Sequence, residues 1–455
     1  EFTVGDNVGV NENVGTYVAY LFAHNDSGDG EFGPDGDADI IKCGTYEGNG
    51  GTQEIDLGFE PQWVMIKNVE SRGYQATLDW NIFDNMREWV NRTSGDNDVL
   101  TANESDAEIA LARCFPTANG FAFYNDGAYS LNVSGDTFIY IAIRRGTKVP
   151  ESATEVFDVD AETNLNTFVT TPWPTDLAIQ KDRQQANQWV VIDRMRGGSN
   201  ILDTSSTSAE NTNGTGSYFS GMDYMDGIDL NFFSSDTSNN IVYNWKRAPN
   251  FFDVVAFSGN STAGRTVSHN LGVAPEMMIV KRRTGGGASW TTYVSDLGAT
   301  KYLRVNNTNA AATSSGFWND TAPTSSVFTV GSDADVNGSG EDYIAYLFAS
   351  LAGVSKVGSY TADGNAQNID CGFTSGARFV LIKRTDTGGN WFVLDTARGI
   401  VSGNDPLLEL NSTGAEDNQY DNLDPYSAGF TVAAYGGTSP YLNTSGGSYI
   451  FYAIA

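Results

Sequence analysis

"FTVGSDADVNGSGEDYIAYLFA", Phe328–Ala349, repeats a stretch near the other end of the chain, "FTVGDNVGVNENVGTYVAYLFA", Phe2–Ala23. In its last run, Tyr343, Ala345, Leu347 and Ala349 fall on one face of an extended strand, and Ile344, Tyr346 and Phe348 on the other. Both faces are apolar, so the run reads as a central strand covered on each side. The turn before it, Asn-x-Ser-Gly at Asn132, Asn337 and Asn443, supplies residues that tolerate positive φ. A segment written twice calls for the period of the whole chain.

Four segments share one order of features. An aromatic strand opens each: "GTYEGNG" at Gly44, "VFDVDAE" at Val156, "VAFSGNS" at Val255 and "GSYTADG" at Gly358. A strand ending in lysine follows, "GFEPQWVMIK" to Lys67, "PWPTDLAIQK" to Lys181, "GVAPEMMIVK" to Lys281 and "TSGARFVLIK" to Lys383. A tryptophan strand comes next, and Trp80, Trp189, Trp290 and Trp391 stand 109, 101 and 101 residues apart. A hairpin-like pair closes each segment. Residues 1–23 therefore read as the C-terminal hairpin of an incomplete upstream repeat, and the chain as a processed product or part of a longer one. An acidic linker covers 24–42, and the repeats cover 43–147, 153–249 (the most divergent), 252–350 and 355–455.

A chain of 455 residues exceeds one ordinary domain. Runs such as "FVLIKR" are strand-length and β-branched, bounded by Gly, Asn and Asp, and no long stretch carries helical periodicity with caps. The fold class is all-β, a tandem array of antiparallel units. A unit of about 100 residues with turns every 8–12 is the size of a two-sheet sandwich, too long for a solenoid rung or a propeller blade. The net charge of −30 argues against nucleic acid and anionic membrane as partners. It suits a soluble particle in salty water, and equally a chain that charge merely keeps soluble. Cys43, Cys114 and Cys371 are odd in number and lack metal spacing, so they read as small buried apolar residues. The apolar runs are too short for a membrane helix.

The landmarks "GF-x-P-x-x-V-x-I-K … W-x-x-x-D-x-x-R-G … L-x-x-N … G-F … N-x-S-G-x-x-Y-x-A" together resemble a tandem domain of virion structural proteins, tail fibres of marine tailed phages especially. That resemblance implies a concanavalin-like jelly roll and a place on the virion surface, outside the cell. It is strongest over 252–455. The second repeat departs from it with "TPWPTDLAIQK", and the third lacks the Asp-x-x-Arg ending, reading "WTTYVSDLG".

The sharpest recurring cluster is Trp-x₃-Asp-x₂-Arg: Trp80, Asp84 and Arg87; Trp189, Asp193 and Arg196; Trp391, Asp395 and Arg398. One reading makes it a sugar site, with indole stacked on a pyranose. The other packs the tryptophan in the sandwich and joins Asp to Arg in a bidentate clamp on the next loop. Recurrence across repeats favours the clamp, because a scaffold need recurs and a receptor site need not. In the acidic linker Asp35, Asp37 and Asp39 alternate as in a calcium loop, but Ile40 stands where its glycine belongs. A solvated hinge is the first reading, a calcium ion between domains the second, and no other cofactor is implied.

Two histidines exclude a His-based triad in every repeat, and no phosphate loop or dinucleotide fingerprint appears. The chain therefore reads as a non-enzyme. Its expected role is a tail fibre or other appendage of a tailed virus, presenting repeated domains for host attachment. Its expected partners are other virion proteins, a host cell-surface glycan or protein, and further copies of itself. Alternatives are a cellular adhesin or filament subunit, a capsid-surface decoration protein and a polysaccharide depolymerase. Asn-x-Ser/Thr triplets such as Asn260-Ser-Thr are frequent, as an Asn-, Ser- and Thr-rich chain produces by chance. Specificity belongs in loops that differ between repeats. The richest are Ser206–Gly227, with Tyr218 and Tyr224, and Asn411–Ser427, with Tyr420 and Tyr426.

Overall fold

The computed structural model describes residues 2–24, 39–70, 79–91, 97–112, 114–124, 131–161, 168–212, 219–231, 239–434 and 441–455. It is an all-β protein of four sandwich units built on one topology. In unit 3 the strand Asp342–Phe348 lies between Phe252–Ser258 and Met277–Arg282, and Thr291–Val294 then Lys301–Arg304 extend the sheet. Units 1, 2 and 4 place their closing strands, Thr137–Arg144, Asn240–Trp245 and Ser448–Ile454, in the same central position. The divergent Leu177–Asp182 pairs as its equivalents do, although its approach lacks Gly-Phe-x-Pro. A second, shorter sheet covers one side of each, such as Arg265–Ser268 with Val327–Val330.

Alternation of side chains explains why the closing strand is apolar throughout. Tyr343, Ala345 and Leu347 pack between the two sheets of unit 3, with Phe257, Val280 and Phe328. Ile344, Tyr346 and Phe348 point the other way, into a core shared by units 2, 3 and 4. The turn ahead of it differs from expectation in one respect. Gly135, Gly340 and Gly446 take the positive φ, at 80°, 76° and 78°. Asn132, Asn337 and Asn443 are instead buried clamps: Asn337 accepts from Asn260 N at 2.9 Å and donates to the carbonyls of Thr262 and Gly331. The first strand, Ile41–Glu47, starts inside the stretch assigned to the acidic linker.

Residues 2–24 form no strand pair, which corrects the hairpin expected there. Strands need a sheet to hydrogen-bond into, and the described segment has none. It keeps its local contacts all the same. Asn11 Nδ2 donates to Gly5 O at 2.7 Å as Asn337 Nδ2 does to Gly331 O, and Tyr17 Oη donates to Val8 O at 2.8 Å as Tyr343 Oη does to Ala334 O. Tyr17, Val18, Tyr20, Leu21 and Phe22 are exposed.

The units do not follow one another in a line. Units 2, 3 and 4 close a ring around a common apolar centre, where Tyr243 and Trp245 of unit 2 meet Phe379 of unit 4 edge-on, and Phe348 of unit 3 meets Tyr452 of unit 4 at 4.9 Å. A cavity of about 40 Å³ near this centre is lined from all three units, including Ile179, Ile279 and Leu381 at equivalent strand positions. Unit 1 docks outside the ring: Arg247 makes two bonds to Glu60, at 2.8 and 3.0 Å, and Arg145 reaches Asp253 at 3.1 Å.

Candidate functional site

The recurring tryptophans locate the ring's joints. Trp80 and Trp391 begin strands, and Trp189 and Trp290 directly precede them. Trp290 Nε1 donates to Asp203 O of unit 2, Trp391 Nε1 to Arg304 O of unit 3, and Trp189 Nε1 to Glu409 O of unit 4, each at 2.9 Å. Asp203, Arg304 and Glu409 each follow a buried leucine at one equivalent position. The bonds run 3 to 2, 4 to 3 and 2 to 4, and so they close. Buried indoles engaged in this way, at 0–2% exposure, offer no face for a pyranose.

The Asp–Arg pairs lie within salt-bridge reach and clamp the loop behind the strand. Asp193 Oδ2 lies 2.5 Å from Arg196 Nε, Asp395 Oδ2 2.6 Å from Arg398 Nε, and Asp84 Oδ2 2.7 Å from Arg87 Nε. Each guanidinium also bonds a strand carbonyl, Val191, Val393 or Ile82, and a glutamate, Glu210, Glu416 or Glu108. At two joints the next unit completes the cluster. Arg283 of unit 3 pairs with Glu210, and Tyr346 Oη donates to Asp193. Arg183 of unit 2 pairs with Glu416 through two 2.9 Å bonds, and Tyr243 Oη donates to Asp395 at 2.8 Å. Burial opposes the charge on Arg196, but Asp193, Tyr346 and Glu210 outweigh it and raise its pKa. Two cations face two anions, so the buried cluster is balanced.

The third joint drops the whole set at once. Val294 and Leu297 stand where Asp and Arg stand elsewhere, Ala311 replaces the glutamate and Thr385 the partner's arginine. The backbone contact survives, with Ala311 N donating to Thr385 O at 2.9 Å as Glu210 N does to Arg283 O and Glu416 N to Arg183 O. Tyr452, equivalent to Tyr346, is buried with no carboxylate to receive its hydroxyl. The missing Asp-x-x-Arg of the third repeat thus belongs to one joint made apolar on both sides.

One family spans this architecture: the family described as a domain of unknown function (DUF7483) matches residues 1–145 and 154–455. The chain belongs to that family. No curated protein and no solved structure matches it. The second DUF7483 stretch coincides with the three-unit ring.

The lysine that closes the third strand in units 3 and 4 is a further joint residue that sequence reasoning passed over. Lys281 Nζ donates to Ala288 O and, across the joint, to Thr207 O, and Lys383 Nζ to Gly389 O and Thr308 O. Burial lowers Lys181, Lys281 and Lys383 to about 8. The signal for these residues, and for the tyrosines, was equivalent placement in several repeats. Glu210 and Glu416 sit inside the two loops expected to carry recognition, so the front of each loop is joint rather than free surface.

The remaining candidates do not gather. Tyr224 is exposed and stacks edge-on with Phe168, Tyr420 packs on Tyr441, Tyr426 ends the strand Leu423–Tyr426, and Tyr218 lies outside the described residues. Asp35 and Asp37 also lie outside them. Among the described residues no group of three or more His, Cys, Asp or Glu side chains could hold a metal ion. A cavity of about 280 Å³ opens between units 1 and 2. Among its charges, Arg194 and Arg247 pair with Asp176 and Lys148 with Glu155. No helix among the described residues is long and apolar enough to cross a membrane.

Proposed function

We propose that the chain is a structural protein of a virus particle, a tail appendage whose sandwich units present loops to the host surface. The observation that carries this reading is the use made of the recurring cluster: its tryptophans, aspartates and arginines hold unit to unit, which is assembly chemistry. A net charge of −30 on such a body favours solubility and an external setting. Several weak contacts on one body raise avidity without a strong individual site, by about 10²–10⁴. A second reading, a decoration protein on the capsid face, is favoured by ring closure, which gives a compact body where a line of units would give reach.

Antibody-gold electron microscopy of purified particles tests both. Label along the tail supports the appendage, label over the capsid face supports decoration, and particles without label overturn both. Recognition is then tested with Tyr224→Ala and Tyr420→Ala, which spare the joint glutamates. Reduced adsorption to the host is expected, and unchanged adsorption in both would leave recognition to other proteins.

A further inference from the structure

Unit 1 carries half of a ring joint, and among the described residues no other unit completes it. Asp84, Arg87 and Glu108 reproduce the cluster of unit 4 bond for bond, yet their side chains are 20%, 21% and 36% exposed, where Asp395 and Arg398 are fully buried. Trp80, at the place of the buried Trp391, is partly exposed, as are Met65 and Ile139 on the same sheet face. That face in units 2–4 forms the ring's shared core. The DUF7483 match covers the full ring over 154–455 and recurs over 1–145, which holds one complete unit and the closing segment 2–23.

We infer that unit 1 is the third member of a second three-unit ring, whose other two places are taken by sandwich units of this same repeat. The chemistry specifies them. Asp84, Arg87 and Glu108 sum to one negative charge, and in unit 4 the same trio is balanced by Arg183 and capped by the Tyr243 hydroxyl. The unit facing Asp84 therefore presents an arginine two residues after its strand lysine and a tyrosine on its closing strand. On its other side unit 1 carries Val69 and the buried Ile141, at the positions of Thr385 and Tyr452, the apolar joint of the first ring. Val69 is 50% exposed. The unit facing it is the one that residues 2–23 close. Tyr20 stands in the register of Tyr346 and is 82% exposed.

A second copy of the chain does not fit, because its unit 1 has valine and isoleucine where arginine and tyrosine are needed. This gives the test. By light scattering after size exclusion, the unaltered 455-residue chain should run as a monomer of 49.0 kDa. The double variant Val69→Arg with Ile141→Tyr makes unit 1 complementary to itself and should convert the chain to a trimer, and adding Asp84→Ala should return it to monomer. Should Ile141→Tyr fail to fold, Val69→Arg alone, at an exposed position, should raise the mass with increasing concentration. A trimer of the unaltered chain overturns the assigned occupant. A folded double variant that stays monomeric, or no concentration effect with Val69→Arg, overturns the ring.

Discussion

Tyr346 Oη donates to Asp193 Oδ2 at 2.6 Å, across 153 positions and from one sandwich unit to the next. Burial holds both Tyr346 and Tyr243 well above the ordinary tyrosine pKa, so each remains a donor to its carboxylate. Tyr346→Phe leaves a buried carboxylate short of one donor and should cost about 1–3 kcal/mol. Tyr452 has no such partner, and Tyr452→Phe should change stability by less than about 0.5 kcal/mol or raise it slightly. Denaturant melts of the two variants check the contrast, and equal losses would refute it.

Removing an arginine should hurt in proportion to its burial. Arg196→Met leaves Asp193 buried without its cation and Glu210 with Arg283 alone, and should cost about 3–5 kcal/mol. Arg87→Met makes the same change in unit 1, where water reaches the cluster, and should cost at most about 1 kcal/mol. The same melts decide, and a reversed order would contradict the joint assignment.

The indole bonds should show the same split. Trp290→Phe leaves Asp203 O without its donor and should lower stability by about 1–3 kcal/mol. Trp80→Phe, on the open face of unit 1, should stay within about 1 kcal/mol of the parent. Similar losses at both sites would mean that the bond to the neighbouring unit matters little.

Stability should peak in mildly alkaline solution. With three lysines lowered to about 8 by burial, the unfolded chain keeps protons that the folded chain has released, from about pH 8 up to the ordinary lysine value of about 10.4. Stability therefore rises with pH across that window, and the cost of burying charged lysine is fully present below it. The raised tyrosines act oppositely: above about pH 10 the unfolded chain ionises first and stability falls. The melting temperature should climb from pH 8 to roughly 9.5 and drop beyond about 10. Lys281→Met should weaken the climb, and a melting temperature that only falls from pH 8 would refute the lysine assignment.

The sandwich class was legible because strand period, turn residues and a spacing of about 100 residues agreed in every segment. The second apolar face of "YIAYLFA" was legible as covered, but not by what. Its cover consists of other units, and the residues that say so are single side chains far apart in sequence. Glu210 looks like an ordinary loop acid, and Arg283 like the end of a strand. Only the joint loss of Val294, Leu297, Ala311 and Thr385 from the polar pattern marks them as one cluster, and that becomes visible once the units are set against each other in space. Asn132, Asn337 and Asn443 show the same limit. Turn chemistry located them, but their role as clamps depends on partners about 80 residues away, as between Asn443 and Gly364.

Ring closure between the first and last of the three units is the central claim, and Arg183 and Glu416 test it most directly. They lie 233 positions apart and form two bonds of 2.9 Å. A linear chain of units would keep them in domains that never touch. A double-mutant cycle on Arg183→Met and Glu416→Gln, read by denaturant unfolding, should give a coupling of about 0.5–3 kcal/mol. Strictly additive losses would contradict a closed ring.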